Sequence, residues 1–74
     1  MSKREEVRAQ IAGIADRIMS SAGELVIEGQ PILIIEAMKM EIPVEAPHAG
    51  CVAELHVRPG ELVEEEQILV ILEV

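Results

Sequence analysis

Aromatic residues are missing from this sequence, which has no phenylalanine, tyrosine or tryptophan. A hydrophobic core must therefore be built from valine, isoleucine, leucine, alanine and methionine. Proteins that bind single-stranded nucleic acids stack bases on aromatic side chains, and this chain has none to offer. Positive charge is also scarce, because six Lys and Arg against fourteen Asp and Glu give a formal net charge of -8. We expect no nucleic-acid partner.

Long apolar runs and paired cysteines are missing as well. The longest apolar runs, "ILII" and "ILVIL", are far too short to cross a bilayer. No signal-peptide pattern opens the chain, and the start "MSKREE" is typical of a cytoplasmic N-terminus. A single cysteine, Cys51, cannot form an internal disulfide and agrees with a reducing compartment. We expect a cytoplasmic protein with no membrane partner.

What the sequence does contain is an internal repeat. The chain has 74 residues, enough for one small domain. Displaced by 37 positions, residues 7–37 align with residues 44–74 without a gap, and twelve of the 31 aligned pairs are identical. Chance gives roughly two matches at average composition. The sequence therefore predicts two homologous halves within a domain over residues 7–74, preceded by a polar tail over residues 1–6.

Each half consists of short extended segments separated by glycine-containing turns. The second half contains "VEAP", "CVAELHV", "LVE" and "ILVILEV", which are rich in β-branched and aliphatic residues and bounded by turn residues. Four strands in each half make eight. This spacing is typical of a small all-β barrel or sandwich.

An amphipathic helix over residues 3–19 is the competing interpretation. Ser2 and Glu5 form a capping-box pattern. Apolar residues then recur at helical spacing: Val7, Ile11, Ile14 and Ile18. The repeat argues against this helix, because it aligns the segment with one that contains Pro43 and Pro47.

The junction between the two halves, "EAMKMEIP", has an unusual hairpin sequence. A pseudo-twofold relation between the halves places Met38 and Lys39 at a hairpin tip, with Lys39 exposed. Tight hairpins favour Asn-Gly or Asp-Gly, because their central residues take positive φ. Met-Lys adopts such angles at a cost of about 1–2 kcal/mol per residue, and a local rule broken at one place is typical of a functional site. In an extended backbone, Met38 and Met40 would lie on the face opposite Lys39 and leave its amine accessible.

The motif "EAMKM" closely resembles the attachment motif of the biotin carboxyl carrier domain of biotin-dependent carboxylases. The resemblance covers nearly the whole chain and includes "GELVIEGQPILIIEAMKMEIPVEAP", "AG" at 49–50 and "PGELV" at 59–63. It implies the biotinyl/lipoyl hammerhead fold, an all-β, flattened eight-stranded barrel or sandwich. In that fold two four-stranded antiparallel sheets are related by a pseudo-twofold, with the attachment lysine on a hairpin tip.

The resemblance also implies a function and its site residues. Lys39 would be acylated with biotin by a biotin protein ligase, with Met38, Met40, Ala37 and Glu36 as motif neighbours that the ligase recognises. The biotin would receive a carboxyl group at a biotin carboxylase and deliver it to a carboxyltransferase. The chain would be a non-catalytic carrier in a carboxylase complex, such as the acetyl-CoA carboxylase of fatty acid biosynthesis.

Three positions depart from the family pattern, and each also differs from its partner in the other half. They are Gln10 opposite Pro47, Ser20 opposite Val57, and Glu66 opposite Gly29. The last pair lies in equivalent turns, so Glu66 is expected to share the positive φ expected of Gly29. These differences concern which carboxylase the chain serves.

Three alternatives remain open from the sequence. A lipoyl carrier domain of a 2-oxo acid dehydrogenase or of the glycine cleavage system has the same fold, but its lysine usually follows Asp, whereas here Met38 precedes Lys39. An unmodified hammerhead interaction domain is the second alternative, and the complete "AMKM" argues against it. An enzyme is the third. No nucleophile–base pair or acid–base carboxylate pair stands out, so no catalytic residue is assigned. His48 and His56 have no metal-ligand spacing, and no metal site is expected.

Overall fold

Eight short β-strands form the fold in the computed structural model, which describes residues 3–74. In chain order they are β1 (Arg4–Arg8), β2 (Gly13–Ile18), β3 (Leu25–Val26), β4 (Pro31–Ala37), β5 (Met40–Glu45), β6 (Gly50–Leu55), β7 (Leu62–Val63) and β8 (Ile68–Glu73). The four strands predicted for each half are confirmed. The competing helix over residues 3–19, against which the repeat argued, is absent, because these residues contain β1 and β2. None of the elements within residues 3–74 is a membrane-spanning helix.

The strands form two four-stranded antiparallel sheets. Sheet A has the order β1-β8-β6-β3 and sheet B has the order β5-β4-β2-β7. The 37-residue offset converts the strand order of one sheet into that of the other. Even the register irregularity between Ala15 and Arg17 in sheet B has its counterpart between Val52 and Glu54 in sheet A. The predicted fold class and its pseudo-twofold are therefore confirmed.

The two sequence halves do not form separate half-barrels. Sheet A takes β1 and β3 from the first half and β6 and β8 from the second, and sheet B mixes the halves in the same way. Neither half can complete a sheet alone, since each central strand pairs with a strand from the other half on at least one side. The halves interlock and must fold together.

Aliphatic side chains from both sheets fill the space between them. The largest fully buried ones are Ile32, Leu33, Ile35, Leu69, Leu72, Val52 and Val70. Ser20 is the single buried polar residue among residues 3–74, and its hydroxyl accepts a hydrogen bond from Gln30 Nε2 at 3.5 Å. A buried hydroxyl with a partner avoids most of the desolvation cost, which explains how Ser20 replaces the apolar Val57 of the other half.

The N-terminal boundary differs from the prediction. Arg4, Glu5 and Glu6 belong to β1 and pair with β8, so they are part of the sheet and not of a tail. Residues 1–2 of the predicted tail lie outside the described residues. The boundary was predicted at Val7 because the first identical residue pair of the repeat is found there. Pairing of strands through the backbone does not require identical side chains, so β1 begins earlier.

The ends of the described chain meet each other. Lys3 N–H donates to the carbonyl of Val74 at 2.9 Å, and Val74 N–H donates to the carbonyl of Lys3 at 2.8 Å. The 37-residue offset relates this pair to Met40 and Ala37, which pair at the other end of the domain. Lys3 and Val74 thus occupy the place in sheet A that Met40 and Ala37, at the base of the β4–β5 hairpin, occupy in sheet B.

Candidate functional site

The junction predicted to form a hairpin tip is a two-residue turn between β4 and β5. Ala37 pairs with Met40, which leaves Met38 and Lys39 as the central residues. Their φ angles are 52° and 64°. Two positive φ angles define a type I′ turn, whose twist matches that of the flanking strands. The expected strain at a Met-Lys turn is therefore present.

The turn projects its side chains into solvent. Met38 is 88% exposed and Met40 is 64% exposed, and Lys39 is exposed as well. One expectation is wrong here, because neither Met38 nor Lys39 has an extended backbone, so the strand alternation that would put them on opposite faces does not apply to them. Lys39 is accessible because it lies at the turn and not because it lies on one face of a strand.

The strand that leads into the turn is held closely against β2. A Cβ on Gly13 would overlap the carbonyl oxygen of Glu36 and would lie 2.7 Å from Ile35 Cγ2. Only glycine permits this approach. Ala37, one residue before the turn, is 6% exposed, so the turn projects from a packed base.

Sequence reasoning did not identify Gly13 as part of the site. A signal was present, since Gly13 is identical to Gly50 across the repeat, and a Cβ on Gly50 would likewise overlap the carbonyl oxygen of Glu73. Identity at two glycines that lie in strands and not in turns indicates close backbone approach.

The charges near the turn are mostly acidic. Glu36 and Glu41 lie directly opposite each other on β4 and β5, which is an unfavourable arrangement for like charges. Arg17 Nη2 donates to Glu41 Oε1 at 3.0 Å and offsets part of this repulsion. Within residues 3–74, no ion pair involves Glu36 or Lys39. The structure thus brings all five motif residues, Glu36 to Met40, into one hairpin.

The two histidines lie apart from this hairpin in separate contacts. His48 Nδ1 contacts Glu5 Oε1 at 2.9 Å, and His56 Nε2–H donates to Glu54 Oε1 at 2.7 Å. The His56 hydrogen bond, helped by Arg4, holds the pKa of the Glu54 carboxyl below its ordinary value of 4.5. No group of His, Cys, Asp and Glu within the described chain is arranged to hold a metal ion.

Comparison with known proteins agrees with this arrangement. The family model described as "Biotin-requiring enzyme" matches residues 6–72. The biotin carboxyl carrier protein of acetyl-CoA carboxylase from Solanum lycopersicum is 42% identical over 59 residues, which are 80% of this chain and 84% of the relative. The Biotin/lipoyl attachment protein of Bacillus subtilis is 38% identical over 63 residues, 85% of this chain and 86% of that protein.

A solved structure shares the fold. The urea carboxylase of Kluyveromyces lactis superposes with a TM-score of 0.90 at 27% sequence identity, and the match covers 95% of this chain but only 6% of that enzyme. This chain therefore matches a small part of the length of that carboxylase and most of the length of the two relatives from tomato and Bacillus subtilis. The chain belongs to the family of biotin-requiring enzymes, as a non-catalytic biotin carboxyl carrier whose cofactor is covalently attached biotin.

Proposed function

We propose that biotin is attached as an amide to Nζ of Lys39, and that the domain presents it in turn to a biotin carboxylase and a carboxyltransferase. One observation carries this assignment. Lys39 is a central residue of an exposed, strained two-residue turn at the junction of the two repeat halves. The turn departs from the usual Asn-Gly chemistry and carries an exposed amine at its tip.

The residues of the turn fit an acylated lysine. An amine that made an ion pair would lose that contact on acylation, because a cationic ammonium becomes a neutral amide. Lys39 makes no ion pair within residues 3–74. Acylation there costs the described part of the fold no salt bridge, so the same structure accommodates the lysine before and after attachment.

The residues beneath the turn give the lysine a fixed position. Ala37 is buried and Gly13 lets β2 and β4 approach closely. A carrier benefits from such a base, because a group held on rigid elements is presented more reproducibly than one on a mobile loop. When bound, biotin supplies a ureido nitrogen that carries a carboxyl group between two active sites. Tethering raises its effective concentration at both sites without requiring new contacts.

We propose that a biotin protein ligase recognises the residues around the lysine. Met38 and Met40 are exposed apolar side chains on both sides of it. Glu36 lies one residue before the buried Ala37 and has no ion-pair partner within residues 3–74. Flexible methionines suit an adaptable contact surface, and an unpaired carboxylate suits a basic partner.

The name of the tomato relative supports acetyl-CoA carboxylase as the complex that this carrier serves, and we propose fatty acid biosynthesis as the setting of that complex. We propose this assignment together with a location in the cytoplasm. The free thiol of Cys51 agrees with such a reducing compartment. Residues 7–74, with the β1 residues before them, would act as one carrier domain. Reconstitution with a biotin carboxylase and a carboxyltransferase, using acetyl-CoA, pyruvate or urea as acceptor, tests the choice of complex.

The attachment site can be tested directly because the chain has only two lysines, Lys3 and Lys39. Co-expression with a biotin ligase should add one biotinyl group, measured by intact mass. Lys39→Arg should abolish the addition, and Lys3→Arg should leave it unchanged. Biotin on the Lys39→Arg variant would refute the assignment, and loading by a lipoate ligase but not by a biotin ligase would favour the lipoyl alternative.

A further inference from the structure

One row of side chains crosses the outer face of sheet B just below the turn. Glu41, Glu36, Ile14 and Leu62 lie directly opposite one another on β5, β4, β2 and β7. All four are exposed, with Ile14 at 42% and Leu62 at 78%. The row is therefore acidic on one half and apolar on the other. Exposed leucine and isoleucine side chains next to each other leave apolar surface in contact with water.

The equivalent row in sheet A differs in its charges. There Arg4, Glu73, Cys51 and Leu25 lie opposite one another, and Arg4 Nη1 lies 3.7 Å from Glu73 Oε2. Arg4 thus balances the carboxylate in sheet A, whereas Glu41 opposes Glu36 in sheet B. Sheet A has the same fold with the equivalent carboxylate paired, so the fold does not require Glu36 to be unpaired within residues 3–74. The charge pattern of the row near Lys39 is therefore specific to sheet B.

A shallow cleft, largely open to solvent, lies beside this row and reaches the turn at Met38. Its apolar lining includes Ile14, Leu62 and Met38, and its acidic lining is Glu36 and Glu64. Met38 is the chain neighbour of Lys39 and is 88% exposed. A group attached to Lys39 therefore begins one residue away from the cleft.

We propose that this cleft is a resting site for the biotin attached to Lys39. The inference rests on the proposed function. Biotin has an aliphatic chain, a thioether ring and a ureido group with two N–H donors. Ile14, Leu62 and Met38 offer apolar surface to the chain and ring, and the carboxylates of Glu36 and Glu64 accept hydrogen bonds from N–H groups. The cleft thus offers apolar surface to the apolar part of biotin and hydrogen-bond acceptors to its N–H groups.

A resting site of this kind would bind intramolecularly, so even weak contacts would be populated. The ring would cover part of the apolar surface of Leu62 between visits to the partner enzymes. Those enzymes would have to compete with the cleft for the ring, and the arm would spend less time free in solvent.

The test uses the biotinylated full chain, labelled with ¹³C and ¹⁵N, after intact mass has confirmed the modification. Nuclear Overhauser contacts should join the biotin ring protons to the methyl groups of Ile14 and Leu62. Biotinylation should also shift the amide resonances of residues 62–64, which are remote from Lys39 in sequence. Leu62→Ser should abolish the contacts to Ile14. The matched control is Leu25→Ser, which changes the equivalent residue of sheet A, 80% exposed against 78% for Leu62, and should retain them.

Two outcomes would overturn the inference, and they are distinguishable. If mass mapping places biotin on Lys39 but no contact to Ile14 or Leu62 is seen and shifts are confined to residues 36–42, the resting site is wrong and the proposed function stands. If no biotin is found on Lys39, the proposed function fails and the resting site fails with it.

Discussion

Gly29 and Glu66 have nearly the same backbone conformation, with φ angles of 85° and 74°. They lie in equivalent turns, and each backbone N–H donates at 2.8 Å to the carbonyl of an equivalent alanine, Ala46 for Gly29 and Ala9 for Glu66. The positive φ expected of Glu66 from the repeat is therefore confirmed. In the first half a glycine adopts this conformation without strain, whereas in the second half Glu66 adopts it with a Cβ and is therefore strained.

The two turns should respond differently to exchange of these residues. Gly29→Glu should destabilise the domain by about 1 kcal/mol, because the new side chain has open space around it but an unfavourable φ. This loss corresponds to a fall in Tm of about 4–8 °C. Glu66→Gly should change stability by less than about 0.5 kcal/mol, since relief of strain is offset by the flexibility of glycine in the unfolded chain. Thermal melts measure both, and a neutral Gly29→Glu would contradict the strain argument.

Gly13→Ala should affect both stability and attachment. The added Cβ has no room beside Glu36 and Ile35, so β2 and β4 must separate at a cost of about 1–3 kcal/mol. Because β4 leads into the turn, biotinylation by a ligase should slow as well. The matched control is Gly50→Ala, which meets an equivalent overlap at Glu73 and should lower stability without slowing biotinylation. Equal rates for the two variants would show that the close approach at Gly13 does not position Lys39.

Met38→Asp should separate recognition from folding. Asp adopts positive φ more readily than Met, so the free energy of unfolding should not fall. Biotinylation should slow, because an exposed apolar contact beside Lys39 is replaced by a charge. Met40→Asp provides the comparison on the other side of the lysine. Unchanged rates of biotinylation in Met38→Asp, measured with purified ligase, would exclude Met38 from recognition.

Glu54 should titrate below its ordinary pKa of 4.5, and His56 should be the main cause. Because the folded pKa is lowered, the contribution of Glu54 to stability is fully present above about pH 4.5 and is lost as pH falls through the folded pKa. His56→Ala should raise the pKa of Glu54, measured by NMR of its side-chain carboxyl carbon. His48→Ala is the control, since His48 contacts Glu5 and not Glu54. An unchanged Glu54 pKa in His56→Ala would refute the assigned cause.

Much of this fold could be predicted from the sequence because the repeat removes ambiguity. Pro43 and Pro47 exclude a helix in one half, and the alignment carries that exclusion to the other half. The turn at Met38 and Lys39 could be located because it lies between two segments that match. At this turn the local sequence pattern and the position within the repeat both predict a hairpin, and a prediction from sequence is strongest where such independent signals agree.

The order of strands within each sheet was not predicted, for a physical reason. Each strand of the repeat can satisfy its hydrogen bonds with several neighbours, and only packing of the whole domain selects among them. The row formed by Glu36, Ile14 and Leu62 depends on that order, because the three residues are far apart in sequence. The same holds for Gly13, whose role becomes visible only when β2 is placed beside β4.

The meeting of Lys3 and Val74 has a mechanical consequence. From the turn, β5 runs to the far end of the domain, where the chain enters β6 at Gly50. Gly50 lies directly against Glu73 and Val74, so the end of the described chain is at the same place. The end where the chain could connect to a larger protein is therefore opposite Lys39, and the longest dimension of the domain is 39 Å. If a flexible linker joins that end, the domain rotates about the linker, and its own length adds up to 39 Å to the distance over which the lysine can move.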